Sequence, residues 1–126
     1  MSLHESAEMY LETIYTLSQK NPAVRSIDVA EALGFSRPSI SRAVGLLKKD
    51  GYLLMDGNGF LTLTETGCAI AEKIFQRHTI LTQALVALGV DEETAAEDAC
   101  KIEHVISDKT LDAITAHMKQ YGKNPD

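Results

Sequence analysis

Three side chains with strong affinity for metal ions fall within five consecutive residues of the stretch "EDACKIEHVISD": Cys100, Glu103 and His104. On a helix the i, i+3 and i+4 positions share a side, so a thiolate, a carboxylate and an imidazole spaced this way can address one divalent transition ion. The apolar stripe of the same segment, Ala95, Ala99, Ile102 and Ile106, is offset from this flank by about 110° at the helical turn angle, which places the three donors outside the core. A second pair, Met9 and Glu12, stands one turn apart near the start of the chain, on the polar side of another amphipathic segment. A lone surface methionine is usually scattered exposure, and a Glu/His pair is usually solvated helix. Taken jointly, Glu, His, Cys and Met are all ligands for a divalent ion. Such an ion can activate water, be stored, or hold a conformation. The first use needs further machinery, and the sequence has neither a nucleophile elbow nor a phosphate-binding glycine-rich loop. We therefore expect no enzyme and no small organic substrate.

The elements that must position these residues are nearly all helical. From Glu5 to Gln19 the apolar residues Ala7, Tyr10, Leu11, Ile14 and Leu17 follow the helical repeat, closed by Asn21-Pro22. Ser26 is expected to cap a short helix, "IDVAEAL", that ends at Gly34. Ser36 should cap the next, with Pro38 in its first turn and Ile40, Val44 and Leu47 as the buried stripe up to Asp50-Gly51. "GYLLM", the turn "DGNG" and "FLTLT" read as a β-hairpin. Thr64 then caps a long helix to Gly89, Asp91 a fifth running through Ile106, and Ser107 or Asp108 a sixth ending near Gly122, followed by a loose tail. Cys68, Phe75 and Tyr10 are expected to be packing residues.

At 126 residues with 44% apolar and 24% charged residues, the chain suits one ordinary core or two small subdomains, folded rather than disordered. No apolar run is long enough to span a bilayer and the start lacks a secretory signal, so the expected compartment is the cytosol, with no membrane partner. Cys68 and Cys100 have no disulfide-framework spacing and are expected to be reduced. The net charge of −6 argues against nucleic acid only when read whole. Residues 65–126 carry eleven acids and six bases, whereas the stretch Gly34 to Lys49 has Arg37, Arg42, Lys48 and Lys49 and no acid.

The order helix, helix-turn-helix, hairpin, helix is that of a winged helix-turn-helix. The second helix of such a pair presents its first residues to base edges in the major groove, while basic groups meet phosphates. Here it begins Ser36-Arg37-Pro38-Ser39-Ile40-Ser41-Arg42. The hydroxyls of Ser36, Ser39 and Ser41 allow close approach of the backbone, Arg42 can fork onto a guanine, and Arg37, Lys48 and Lys49 can neutralise phosphates. A solvated basic face, or a winged helix used for protein contacts, fits the element order too. The hairpin tip also carries no Lys or Arg with which to grip a backbone.

"SAEMYLETIY" at 6–15, "QRH" at 76–78, "CKIEHVISD" at 100–108 and the winged helix between them resemble the diphtheria toxin repressor family of metal-dependent transcriptional repressors, which includes manganese transport regulators. The resemblance runs over essentially the whole chain. It implies a mainly α fold: a winged helix-turn-helix DNA-binding domain with a β-hairpin wing over residues 1–70, then a helical dimerisation and metal-binding domain over 71–126. It implies a homodimer on a palindromic double-stranded operator, with divalent metal as corepressor in metal homeostasis. Position by position it assigns Met9, Cys100, Glu103 and His104 to the site typical of the iron-responsive branch. Glu12 and His78 match positions that supply a neighbouring ion in the manganese-responsive branch, with Glu103 able to bridge. That branch has an aspartate in place of Met9 and a glutamate in place of Cys100. The softer pair here tilts the expected preference to Fe²⁺ ahead of Mn²⁺, while Zn²⁺, Co²⁺ or Ni²⁺ can bind in vitro.

Two departures qualify the match. Thr82 and Ala96 stand where the iron-type ancillary site has an acid and a second histidine, so that site is expected to be absent in its usual form. The chain stops at Asp126 without the SH3-like domain of longer members, which suggests the short two-domain architecture. An ion held by donors of both domains would fix the angle between the reading heads and raise operator affinity. A metal buffer or a protein-binding module is the alternative.

Overall fold

The computed structural model describes residues 5–121. Its order is α1 (Glu5–Lys20), α2 (Ser26–Leu33), α3 (Arg37–Lys49), β1 (Leu53–Met55), β2 (Leu61–Leu63), α4 (Glu65–Ala87), α5 (Glu92–Ile102) and α6 (Asp108–Tyr121). The fold is mainly α, with an N-terminal winged helix-turn-helix followed by helices, as the sequence led us to expect. The expected end of the sixth helix near Gly122 and the loose tail lie outside the described residues. The chain divides between Glu72 and Lys73, within α4, into two compact units.

In the first unit one apolar cluster joins every element. Leu11 and Ile14 of α1 meet Val29 and Ala30 of α2, Ile40, Val44 and Leu47 of α3, Leu53 of β1, Leu61 of β2 and Ala71 of α4. The turn between α2 and α3 works because Gly34 sits at φ 71°, left-handed, and donates its N–H back to Ala30. The α3 helix then starts on Ser36, whose Oγ accepts from the Ser39 backbone at 3.4 Å, with Pro38 where no N–H is needed. At the start of α2 the cap differs from expectation. Arg25, not Ser26, holds the N-cap position, and the Asp28 carboxylate accepts the Arg25 N–H at 2.9 Å. Arg25 is already committed to the sheet side: it forms a bridge with Phe60, and its guanidinium lies 4.5 Å from the centre of that ring.

The wing is the antiparallel pair β1 and β2, in register Leu53↔Leu63. Asp56 organises its tip, its Oδ1 accepting from the backbones of Asn58 at 2.8 Å and Phe60 at 3.0 Å. Thr64 caps α4 by accepting the Gly67 N–H at 3.1 Å. Gly67 is there for space: a Cβ would sit 1.9 Å from the Tyr52 carbonyl oxygen.

In the second unit Asp91 caps α5 as expected, accepting the Thr94 N–H at 3.0 Å, and Ser107 rather than Asp108 caps α6, accepting the Thr110 N–H at 3.1 Å. The end of α5 departs from expectation. The helix stops at Ile102, not Ile106, with Glu103 as its C-cap and Val105 and Ile106 both turned back onto the Ile102 carbonyl. The physical reason lies on α4. Arg77 Nη1 donates to the Glu103 carbonyl at 3.1 Å, occupying an acceptor that a continuing helix would give to Ser107. The burial of the candidate ligand flank also differs from expectation. Ala95 and Ala99 are buried as expected and Cys100 is exposed, but Glu103 is fully buried, where the periodicity placed it outside the core. Phe75, read as packing, is 42% exposed, whereas Tyr10 sets its ring edge-on to Phe35.

Candidate metal centre and nucleic-acid interface

The basic helix of the first unit is presented as the sequence suggests. Ser36, Arg37, Pro38, Ser41, Arg42, Lys48 and Lys49 are exposed and Ser39 is half-buried. Ile40, Val44 and Leu47 turn into the core, which leaves the other face of α3 to solvent. Ser36 Oγ also donates to Ser39 Oγ at 2.9 Å, so the first turn carries paired hydroxyls beside Arg37 and Arg42. Lys48 and Lys49 lie in the last turn, where cations suit the helix dipole and can also meet phosphate oxygens. At the other end of the unit's candidate set, Met9 and Glu12 are half-buried, on successive turns of α1. The Met9 carbonyl accepts from Thr13 Oγ1 at 2.8 Å.

In the second unit the structure brings three candidates together from residues 25 apart in the chain: His78 on α4, and Glu103 and His104 at the end of α5. His78 Nδ1 lies 2.9 Å from Glu103 Oε2, and His104 Nε2 lies 3.4 Å from Glu103 Oε1. The Glu103 side chain is 0% exposed, His104 3% and His78 28%. An Nδ1–H donated by His78 to the carboxylate leaves its Nε2 with the lone pair. A carboxylate buried between two imidazoles is a costly arrangement for an apolar core, and it suits a cation. Nitrogen and oxygen donors of this kind, with the Cys100 thiol exposed on the last turn of α5, fit a first-row divalent ion.

One residue of this neighbourhood escaped notice in the sequence. Arg77, directly before His78, bonds the Glu103 carbonyl and places Nη2 2.6 Å from Asp108 Oδ1. Lys73 Nζ stands 3.7 Å from the other oxygen of Asp108. The Arg77 hydrogen bond, then the Lys73 charge, hold the Asp108 carboxyl below its ordinary range. The segment "QRH" was visible, but a partner 31 residues away leaves no local signal. Thr82, the departure noted above, donates its hydroxyl to the His78 carbonyl at 2.7 Å and so turns back onto its own helix. Burial pushes the Cys68 thiol above its ordinary pKa, with the Glu72 carboxylate adding to it. No described helix is long and apolar enough to cross a membrane.

Comparisons with known proteins cover both units. Residues 2–59 match the family model described as iron dependent repressor, N-terminal DNA binding domain. Residues 64–126 match that of iron dependent repressor, metal binding and dimerisation domain. The chain is 38% identical over 121 residues to the HTH-type transcriptional regulator MntR of Lysinibacillus sphaericus, covering 96% of this chain and 87% of that protein. It is 29% identical over 124 residues to the diphtheria toxin repressor of Corynebacterium diphtheriae, covering 98% of this chain and 55% of that one. A solved structure of a manganese-dependent transcriptional repressor complex with manganese superposes with a TM-score of 0.83 at 29% identity, over 94% of this chain and 55% of the other. The chain thus spans about half the length of the latter two. A winged-helix unit with an exposed basic helix, a helical unit with buried nitrogen and oxygen donors, and matches to both halves lead to one assignment: the chain belongs to the iron-dependent repressor family of metal-dependent transcriptional regulators.

Proposed function

We propose that this chain represses transcription as a homodimer on a palindromic double-stranded operator, with Fe²⁺ as the favoured corepressor and Mn²⁺ next. The observation that carries the metal reading is Glu103, a fully buried carboxylate flanked by His78 and His104. These three residues would hold the ion, with Cys100, Met9 and Glu12 completing the donor set, an assignment that rests on the sequence resemblance. When bound, the ion would supply positive charge and directional bonds to these donors. The softness of Cys100 and Met9 favours Fe²⁺ over Mn²⁺. Anaerobic titration of each ion, with operator binding as the readout, tests that order. Tighter coupling with Mn²⁺ would reverse it.

On the DNA side, Ser36, Arg37, Pro38, Ser39, Ser41 and Arg42 would enter the major groove, and Lys48 and Lys49 would meet the backbone. Dimerisation fits the second unit, whose α4, α5 and α6 frame an apolar groove lined by Leu81, Leu85, Leu88, Ile106, Ile114 and Met118. A twofold pairing would set two reading helices about one DNA turn apart, roughly 34 Å.

The deciding experiment measures binding to a DNA fragment selected from a random pool in the presence of metal. Metal should raise affinity about 5–150-fold, the usual range for such coupling. Glu103→Ala should lose that stimulation and keep its helical fold by circular dichroism. Undiminished stimulation in Glu103→Ala would refute the metal assignment. A salt dependence near zero on every DNA would favour a metal buffer or protein module instead.

A further inference from the structure

Two consecutive residues of α4 grip one residue at the end of α5 at both of its ends. Arg77 Nη1 donates to the backbone carbonyl of Glu103 at 3.1 Å, and His78 Nδ1 lies 2.9 Å from the Glu103 carboxylate. The other arm of Arg77 runs to Asp108 Oδ1 at 2.6 Å, in the first turn of α6. One guanidinium therefore ties together the helix that carries His78, the turn that carries Glu103 and His104, and the helix that follows. The Arg77 side chain is 13% exposed, so its rotamer freedom is already spent before any ion arrives. Its planar fork fixes the direction of both bonds, which a single ammonium does not.

We propose that Arg77, held by Asp108, is a positioning residue that sets the ligand geometry of Glu103 and His104; this rests on the metal reading above. The carbonyl it holds belongs to the same residue whose carboxylate is the buried donor, so the bond fixes the backbone from which that side chain springs. It also holds the carbonyl at the point where α5 ends, with Glu103 as the C-cap and His104 directly after it. Asp108 has a second duty. A guanidinium close to a divalent cation is repelled by it, and the carboxylate offsets that charge. A plain helix cap, by contrast, would add stability and leave the affinity of the folded chain for metal unchanged.

The test uses the full chain under anaerobic conditions, with Co²⁺ as the probe, reading affinity and the visible absorption band against the metal-free Tm. Arg77→Gln is expected to bind Co²⁺ about 10-fold more weakly with an altered band, the lower end of what loss of a ligand-orienting group costs. Arg77→Lys should recover part of that loss, and Asp108→Asn should weaken binding by less than Arg77→Gln does. Wild-type affinity and band in Arg77→Gln, alongside lost binding in Glu103→Ala, overturn the positioning role and leave the metal reading standing. Wild-type binding in Glu103→Ala overturns both. A loss that Arg77→Lys does not partly restore, or that merely follows a fall in Tm, marks a cap and overturns the proposal. Should Arg77→Gln fail to fold, Asp108→Asn decides: binding weakened at a temperature well below its slightly lowered Tm, where the chain is fully folded, supports the role, and unchanged affinity overturns it.

Discussion

The two units spend their interiors differently. The first buries leucine, isoleucine and valine from three helices and two strands in one cluster, with Leu11, Ile14 and Val29 at 0% exposure. The second buries Ile74, Leu81 and two alanines, Ala95 and Ala99, and among its described residues puts Glu103 at the same 0%. Its last helix, α6, buries no described residue, while Leu88 is 81% exposed and Val105 66%. A carboxylate in place of a leucine forfeits transfer free energy and adds a desolvation cost. The first unit thus rests on apolar burial, and the second gives up part of that burial to keep a carboxylate inside. Its open apolar groove is consistent with a second copy supplying the missing burial.

The sharpest way to break this contrast is to hollow out the first core. Leu11→Ala should cost about 3 kcal/mol of unfolding free energy, from lost burial plus the cavity left behind, because Leu11 is fully enclosed. Urea denaturation of the metal-free chain measures it, and a cost under about 1 kcal/mol would mean the cluster is not what holds the unit. The next effect concerns the surface that this core supports. Arg42→Ala should lose about 2 kcal/mol at one operator position and relax the base preference there. Lys48→Ala should weaken all sequences alike and lower the salt slope by about 1. Competition binding across single-base variants separates them, and an equal loss everywhere for Arg42→Ala removes its reading role.

The same contrast explains what the sequence disclosed. In the first unit, burial follows periodicity, so Ile40, Val44 and Leu47 and the Ser36 cap could be read from spacing alone. There the error is local: Arg25 displaced Ser26 as the cap because Asp28, three residues on, accepts its N–H. In the second unit spacing misled. It set Glu103 on a solvated flank and carried α5 on to Ile106, because the group that ends the helix, Arg77, lies 26 residues earlier. Glu103 and His104 were legible as candidate donors by residue type, and His78 through the family resemblance. Their convergence was not, since no helical period encodes a turn held by another helix.

The smallest predicted effect is an acid limb that belongs to the second unit. Asp108 is held below its ordinary range by the Arg77 hydrogen bond first and the Lys73 charge next, and Asp91 by the Thr94 backbone N–H at the start of α5. A carboxyl whose folded pKa is depressed gives stability that is present above its unfolded value, about 3.9, and is lost as pH falls through the folded one. Asp108 is 63% exposed, so solvent screens the pair and the amplitude is small. Many other carboxyls titrate in the same window, so the informative quantity is a difference. Wild type should exceed Asp108→Asn in Tm above about pH 5, and the two should converge only as pH falls through the depressed folded pKa of Asp108, below which both side chains are neutral. A gap that persists at the acid end would mean that the asparagine disturbs the Arg77 bond by shape rather than by charge. In that case electrostatics would not distinguish this junction from the apolar packing of the first unit.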